Sequence, residues 1–305
     1  MTRTEHPRPA GLTAGDVLRQ RLEQQAAAVR AQEPLLRDDA DDAIHDMRVA
    51  LRRLRSALAT YRPLLEPGSA EPLRDEMRWL GQELSPARDT EVIAERLEAL
   101  VREQPAELVM GPVERRIDTE LGSRAQQGRR RALEALESER YRRLLVDLDS
   151  FVAALPYVAR AERPAAKETP RLLERDLRRL RRRARVADSA TDPHARDIAL
   201  HETRKAAKRL RYAAESAAPV FGRRARKLAK RAQRIQDVLG EHQDTVVARS
   251  TLRELGAQAY LAEENGFTFG RLHALEEARA RKLLEQYPPA LERLPGHRLA
   301  RWLHR

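Results

Sequence analysis

Shifted by 156 residues, this chain matches itself without a gap over a distinctive stretch. His45-Asp46-Met47-Arg48 falls on His201-Glu202-Thr203-Arg204, Arg52-Arg53-Leu54-Arg55 falls on Lys208-Arg209-Leu210-Arg211, and Pro63 falls on Pro219. Further on, at an offset of 155, Leu84-Ser85-Pro86-Ala87-Arg88-Asp89-Thr90 meets Leu239-Gly240-Glu241-His242-Gln243-Asp244-Thr245. Thr13 and Thr169 also stand at the start of comparable helical patterns. An internal repeat limits the fold more than any single segment does, because each copy must bury the same apolar faces. The expectation is a duplicated helical unit folded with pseudo-two-fold symmetry.

Composition sets the class of that unit. Ala, Leu, Arg and Glu dominate, and aromatic residues make up only 4% of the 305. Strong helix formers are thus abundant, and the residues that favour sheets are scarce. With 41% hydrophobic and 35% charged residues, the chain suits a folded helical protein with a solvated outside. The predicted class is all-α, two pseudo-two-fold-related helical bundles from an internal duplication. Residues 1–12 read as a disordered tail and 13–300 as one domain, with repeat one at about 13–160 and repeat two at about 168–295. Helices are expected at 13–33, 41–63, 71–84, 89–101 and 113–158, the last interrupted near Ser138. After a Pro-bearing linker at 163–170 they follow at 171–185, 194–218, 223–239, 242–255 and 267–287.

A net charge of +12 and a pI near 10.5 point to an anionic partner. Composition alone leaves nucleic acid, membrane surface and polyphosphate open. The chain has no cysteine, so disulfides, thiolate metal sites and Cys nucleophiles are excluded. It has no apolar run of membrane-spanning length and no apolar signal core at its start, which implies a cytoplasmic protein with no membrane partner. No Walker-type loop, G-x-G-x-x-G, G-x-S-x-G or H-E-x-x-H occurs.

His45, Arg48, Arg52 and Arg55 follow an i, i+3, i+7, i+10 spacing. On a helix they fall within a sector of about 80°, with Arg48 and Arg55 about 10 Å apart along the axis. Met47, Leu51, Leu54 and Leu58 occupy a different face, suited to the core. His201, Arg204, Lys208 and Arg211 repeat the pattern. A solvated face would interleave Glu and Asp, yet neither ladder face contains a carboxylate. Rows of arginine forks and ammonium groups suit an extended phosphate polymer.

A second row follows at Lys227, Lys230, Arg231 and Arg234, with a thinner counterpart in Arg74 and Arg78. The basic run at 171–185 points in several directions, so only part of it is expected to join an anion site. His45 beside Asp46 leaves open a metal-dependent phosphohydrolase, which would need several further converging ligands. Non-specific nucleic-acid binding is the other alternative, although the basic helices carry few stacking aromatics beyond Tyr61 and Tyr212. For the two histidines, contact with phosphate and helix packing both stay open.

The order of His45-x-x-Arg48, Arg52-Arg53-Leu54-Arg55 and Leu84-x-x-x-Arg88-Asp89, with their second copies and Gln236-Asp237-x-Leu239-Gly240, resembles the CHAD (conserved histidine α-helical domain) family. The resemblance implies two helical bundles around a basic central groove that binds inorganic polyphosphate. It also implies association with polyphosphate granules or polyphosphate-metabolising enzymes. The expected function is non-enzymatic binding, with no cofactor. Carried over by position, the site comprises His45, Arg48, Arg52, Arg55, His201, Arg204, Lys208 and Arg211. Ser85 departs from the family pattern, where glycine is usual.

Overall fold

A computed structural model of the chain describes residues 11–294; most of the expected tail and the last residues of the expected domain lie outside them. Thr13 opens the first helix, α1 (Ala14–Arg37), with a reciprocal cap. The Asp16 backbone N–H donates to Thr13 Oγ1 at 3.1 Å, and the Thr13 N–H donates to Asp16 Oδ2 at 2.8 Å. Such a cap stabilises a helix start by about 1 kcal/mol. Next come α2 (Ala43–Tyr61), a 3-10 turn at Arg62–Leu64, α3 (Glu71–Glu83) and α4 (Ser85–Arg102). Then follow α5 (Val113–Glu137) and α6 (Glu139–Ala153), separated where Ser138 Oγ accepts the Tyr141 N–H and caps a new helix. The second half holds α7 (Ala165–Ser189), α8 (Pro193–Ser216), the single turn α9 (Ala218–Phe221), α10 (Arg223–Leu261) and α11 (Phe267–Glu292). Among the described residues there is no strand, only the isolated bridges Thr13–Pro164 and Leu65–Tyr157. The fold is all-α, as composition predicts.

Two boundaries differ from the sequence expectation. The linker at 163–170 is shorter than expected: α7 begins at Ala165, so Thr169 lies buried inside the helix instead of starting it. Pro170 is the sixth residue of α7, so it does not mark the boundary and instead costs the helix one backbone hydrogen bond. Residues 223–239 and 242–255 form one continuous helix, α10, running straight through Gly240. The first half does break at the matching place, because Pro86 stands where the second has Glu241. A proline there cannot continue the hydrogen-bond ladder from α3, and α4 starts anew with Pro86 in its first turn.

The buried side chains form three clusters. The first packs α1, α2, α3 and α6 with the end of α5, around Leu18, Leu22, Met47, Leu54, Leu58 and Leu80. The second packs α7, α8, the first half of α10 and the end of α11, around Leu173, Leu177, Leu180, Leu210 and Ile235. The third joins the halves: Ile93 and Leu97 of α4 and Ile117 and Leu121 of α5 meet Leu252 and Leu255 of α10 and Phe269 and Leu272 of α11. The α4–α5 pair is held close by one residue. A Cβ on Gly128 would lie 2.4 Å from the Ala87 backbone N. That contact fixes the start of α4, and with it Arg88 and Asp89.

Candidate anion-binding site

The two ladder helices, α2 and α8, pack against each other. The basic motif splits in the same way on both. Arg53 lies 3.8 Å from Glu215 and over the Tyr212 ring at 5.7 Å, and Arg21 also reaches Glu215, at 3.5 Å. Arg209 pairs with the buried Asp176 at 2.8 Å and donates to the Ala59 carbonyl at 2.6 Å, while Thr60 Oγ1 donates to Asp176 at 2.6 Å. The second cation of each motif therefore ties the helices together, and the first and last remain on the ladder face.

Lys208 shows how close the ladders come. Burial holds its ammonium down to about 7, and Arg204 of its own helix and Arg52 and Arg48 of α2 push the same way, against the single opposing Asp244. Arg55 is lowered too, first by burial and then by Arg78 and Arg74. Cations from α2, α8 and α3 thus face one another across a shared region. Arg204 lies along α10, where a Cβ on Gly240 would be 3.6 Å from its Nε, an ordinary contact. At the aligned position Ser85 Oγ donates to the Gly81 carbonyl at 2.8 Å, so the departure from glycine is accommodated locally.

The ladders are not free of carboxylates, as their own helix faces suggest. Arg48 pairs with Asp89 at 2.9 Å and Arg211 with Glu215 at 2.8 Å. The first partner arrives from α4 and the second from the next turn of α8, beyond the stretch that the spacing covers. Among the described residues, Arg52, Arg55, Arg204 and Lys208 have no carboxylate oxygen within 4 Å.

Of the second row, Arg74 and Arg78 join Arg55, although each also has an acidic neighbour, Glu71 at 3.8 Å and Asp75 at 2.5 Å. Lys227, Lys230, Arg231 and Arg234 lie on α10, where Arg234 donates to Gln286 of α11 at 3.2 Å. Asp237 of the same helix feels both Arg234 of this row and Arg211 of the ladder, so one end of the row lies near the α8 ladder. Helical spacing placed them on one face but could not say which way that face turns.

The histidines occupy matching places. His201 Nδ1 lies 3.2 Å from Gln243 Oε1, and His45 stands near Arg88, which aligns with Gln243. Both imidazoles are held below their ordinary value, chiefly by burial. His45 also borders a depression containing Asp39, Asp41, Asp42, Glu91 and Glu95, and Arg88 reaches Asp42 at 3.7 Å. It sits at an acidic margin of the ladder. Arg175, Arg179 and Arg182, from the basic run at 171–185, line a cleft of about 1220 Å³ together with Arg62, which sequence spacing did not single out.

The family model described as CHAD domain matches residues 20–253, more than half of the chain. The chain belongs to the CHAD domain family. Its fold is similar to the CHAD domain from the plant Ricinus communis, with a TM-score of 0.70 and 27% identity over 94% of each chain. It is also similar in fold to PptA from Streptomyces chartreusis, with a TM-score of 0.76 and 21% identity over 92% of this chain and all of that one. Two uncharacterized proteins of Mycobacterium tuberculosis, strains CDC 1551 / Oshkosh and ATCC 25618 / H37Rv, are each 40% identical over 182 residues. That match covers 59% of this CHAD chain and 35% of theirs, so the chain spans about a third of the length of these curated relatives.

Proposed function

We propose that this CHAD protein binds inorganic polyphosphate without transforming it, in the region where the α2 and α8 ladders meet. The observation that carries this is the group Arg52, Arg55, Arg204 and Lys208. These are cations from two helices, with no carboxylate oxygen within 4 Å among the described residues, and Lys208 is held near 7 by burial first and by its cationic neighbours next. Repulsion of this kind costs stability until an anion neutralises it, and a phosphate chain offers one charge at each repeat. Arginine forks match its oxygens and make no demand on sequence. Recruitment to polyphosphate granules, or to enzymes that make or degrade the polymer, is the role such a module serves.

The test is a titration with long-chain polyphosphate across salt. By analogy with DNA, a site neutralising about six phosphates loses roughly three orders of magnitude in affinity between 50 and 200 mM salt. A flat response contradicts the proposal. The same preparation incubated with polyphosphate and Mg²⁺, Mn²⁺ or Zn²⁺ should release no phosphate; turnover abolished by His45→Ala would favour the hydrolase alternative.

A further inference from the structure

The cleft of about 1220 Å³ lies beside the ladders, between α7, the 3-10 turn after α2, α3, and the end of α11. Along α7, Arg175, Arg178, Arg179 and Arg182 fall within a sector of about 100°, facing away from Leu173, Leu177, Leu180 and Ala184 in the core. Arg62 and Arg74 approach from the first half, and Leu291 and Leu294 supply apolar wall. Ligand pockets usually enclose about 300–1,000 Å³, so this cleft can hold more than a single phosphate.

Two observations separate these arginines from ordinary surface charge. Among the described residues, Arg62, Arg179 and Arg182 have no carboxylate oxygen within 4 Å. Three carboxylates also line the cleft: the buried Asp176, already engaged by Arg209 and Thr60, and the exposed Asp188 and Glu292. The second observation is asymmetry. α1 packs on α2 as α7 packs on α8. With buried Leu173 set on Leu18 and Leu177 on Leu22, α1 has Gln20, Glu23, Gln24 and Ala27 where α7 has Arg175, Arg178, Arg179 and Arg182. The arginine face is therefore not a by-product of the repeated ladder motif; it belongs to one half alone.

We propose that this α7 cleft is a second anion site, binding a run of phosphate groups independently of the ladders. Arg179 and Arg182 are its central ligands, and Arg62 closes it from the opposite wall. Arg74 connects the two regions: it neighbours Arg55 on the ladder side and Arg209 on the cleft side, and Arg209 in turn neighbours Arg175 and Arg179. The phosphate run can come from a polyphosphate chain continuing off the ladders or from a separate short oligophosphate. The inference shares with the proposed function the premise that unpaired arginine arrays bind phosphate, but it does not require the ladders to be occupied.

The experiment is calorimetric titration of the full chain with inorganic tripolyphosphate and with long-chain polyphosphate. The wild type is compared with the cleft variant Arg179→Ala/Arg182→Ala, the ladder variant Arg48→Ala/Arg52→Ala, and the charge-keeping Arg179→Lys/Arg182→Lys, with helix content checked by circular dichroism. The wild type should bind two tripolyphosphates and the cleft variant one, with the lysine variant retaining two. If long-chain affinity also falls about tenfold in the cleft variant, the source is the continuing chain; if it is unchanged, the source is a separate oligophosphate, and the site stands in either case. A cleft variant that binds tripolyphosphate with wild-type stoichiometry and affinity overturns the inference while leaving the ladders untouched. Loss of long-chain binding only in the cleft variant would overturn the ladder proposal and keep this one.

Discussion

Lys208 is the residue on which the electrostatics of the ladders can be read. In the unfolded chain its ammonium titrates near the ordinary 10.5, and in the fold near 7. Below about pH 7 both states carry the proton, and the fold bears the full cost of a buried, repelled cation. Between 7 and 10.5 the unfolded chain holds a proton that the folded chain has released, so this group makes stability rise with pH across that window. Thermal unfolding without ligand should show that rise, and Lys208→Met should abolish it while raising stability at pH 6. A bound polyanion favours the charged form, so binding at pH 8 should take up close to one proton, seen as a dependence of calorimetric heat on buffer ionisation. Unchanged heats across buffers would place the ligand away from Lys208. The ladder residues themselves were legible from spacing alone. Their partners were not, because Asp89 reaches Arg48 from a helix 41 positions along the chain.

At the scale of helices, small residues decide where elements may approach. Gly128 leaves no room for a side chain against Ala87, so Gly128→Ala must push α4 and α5 apart. We expect a loss of about 1–3 kcal/mol, typical of overpacking, in chemical denaturation. Gly240→Ala is the contrasting case. Its Cβ would meet only Arg204 at ordinary contact distance, and alanine in a helix interior is favoured over glycine by about 1 kcal/mol. That variant should be as stable as the wild type or more so; a large loss would mean that α10 needs its glycine for another reason. These two glycines also show what the sequence hid. The sequence reading ended one helix at 239 and began another at 242, but such a break belongs to Pro86 in the first half, and Glu241 at the aligned position has no such effect. The start of α7 was misplaced for the converse reason, since Pro170 read as linker although it lies inside the helix. Apolar periodicity carried most of the remaining helices, with ends shifted by a few residues.

Across the whole molecule, three cores fix the relation between the two basic faces. The first holds α2, the second holds α8, and the third joins α4 and α5 to α10 and α11, so the ladders approach as parts of one body. The sequence showed each ladder separately, and from their spacing alone their meeting was only an expectation; the same spacing could not orient Lys227 and Lys230, which lie exposed on α10. The central claim is that α2 and α8 act together on one polyanion. Its most direct test is titration of Arg48→Ala/Arg52→Ala and of Arg204→Ala/Lys208→Ala with short and long polyphosphate. Both pairs should weaken binding to a similar degree, with long chains affected more than short ones because a long chain loses half of its joined contacts. Helix content should be unchanged, since alanine is the better helix former. If one pair leaves binding at the wild-type level while the other abolishes it, the site belongs to a single helix and the shared site is contradicted.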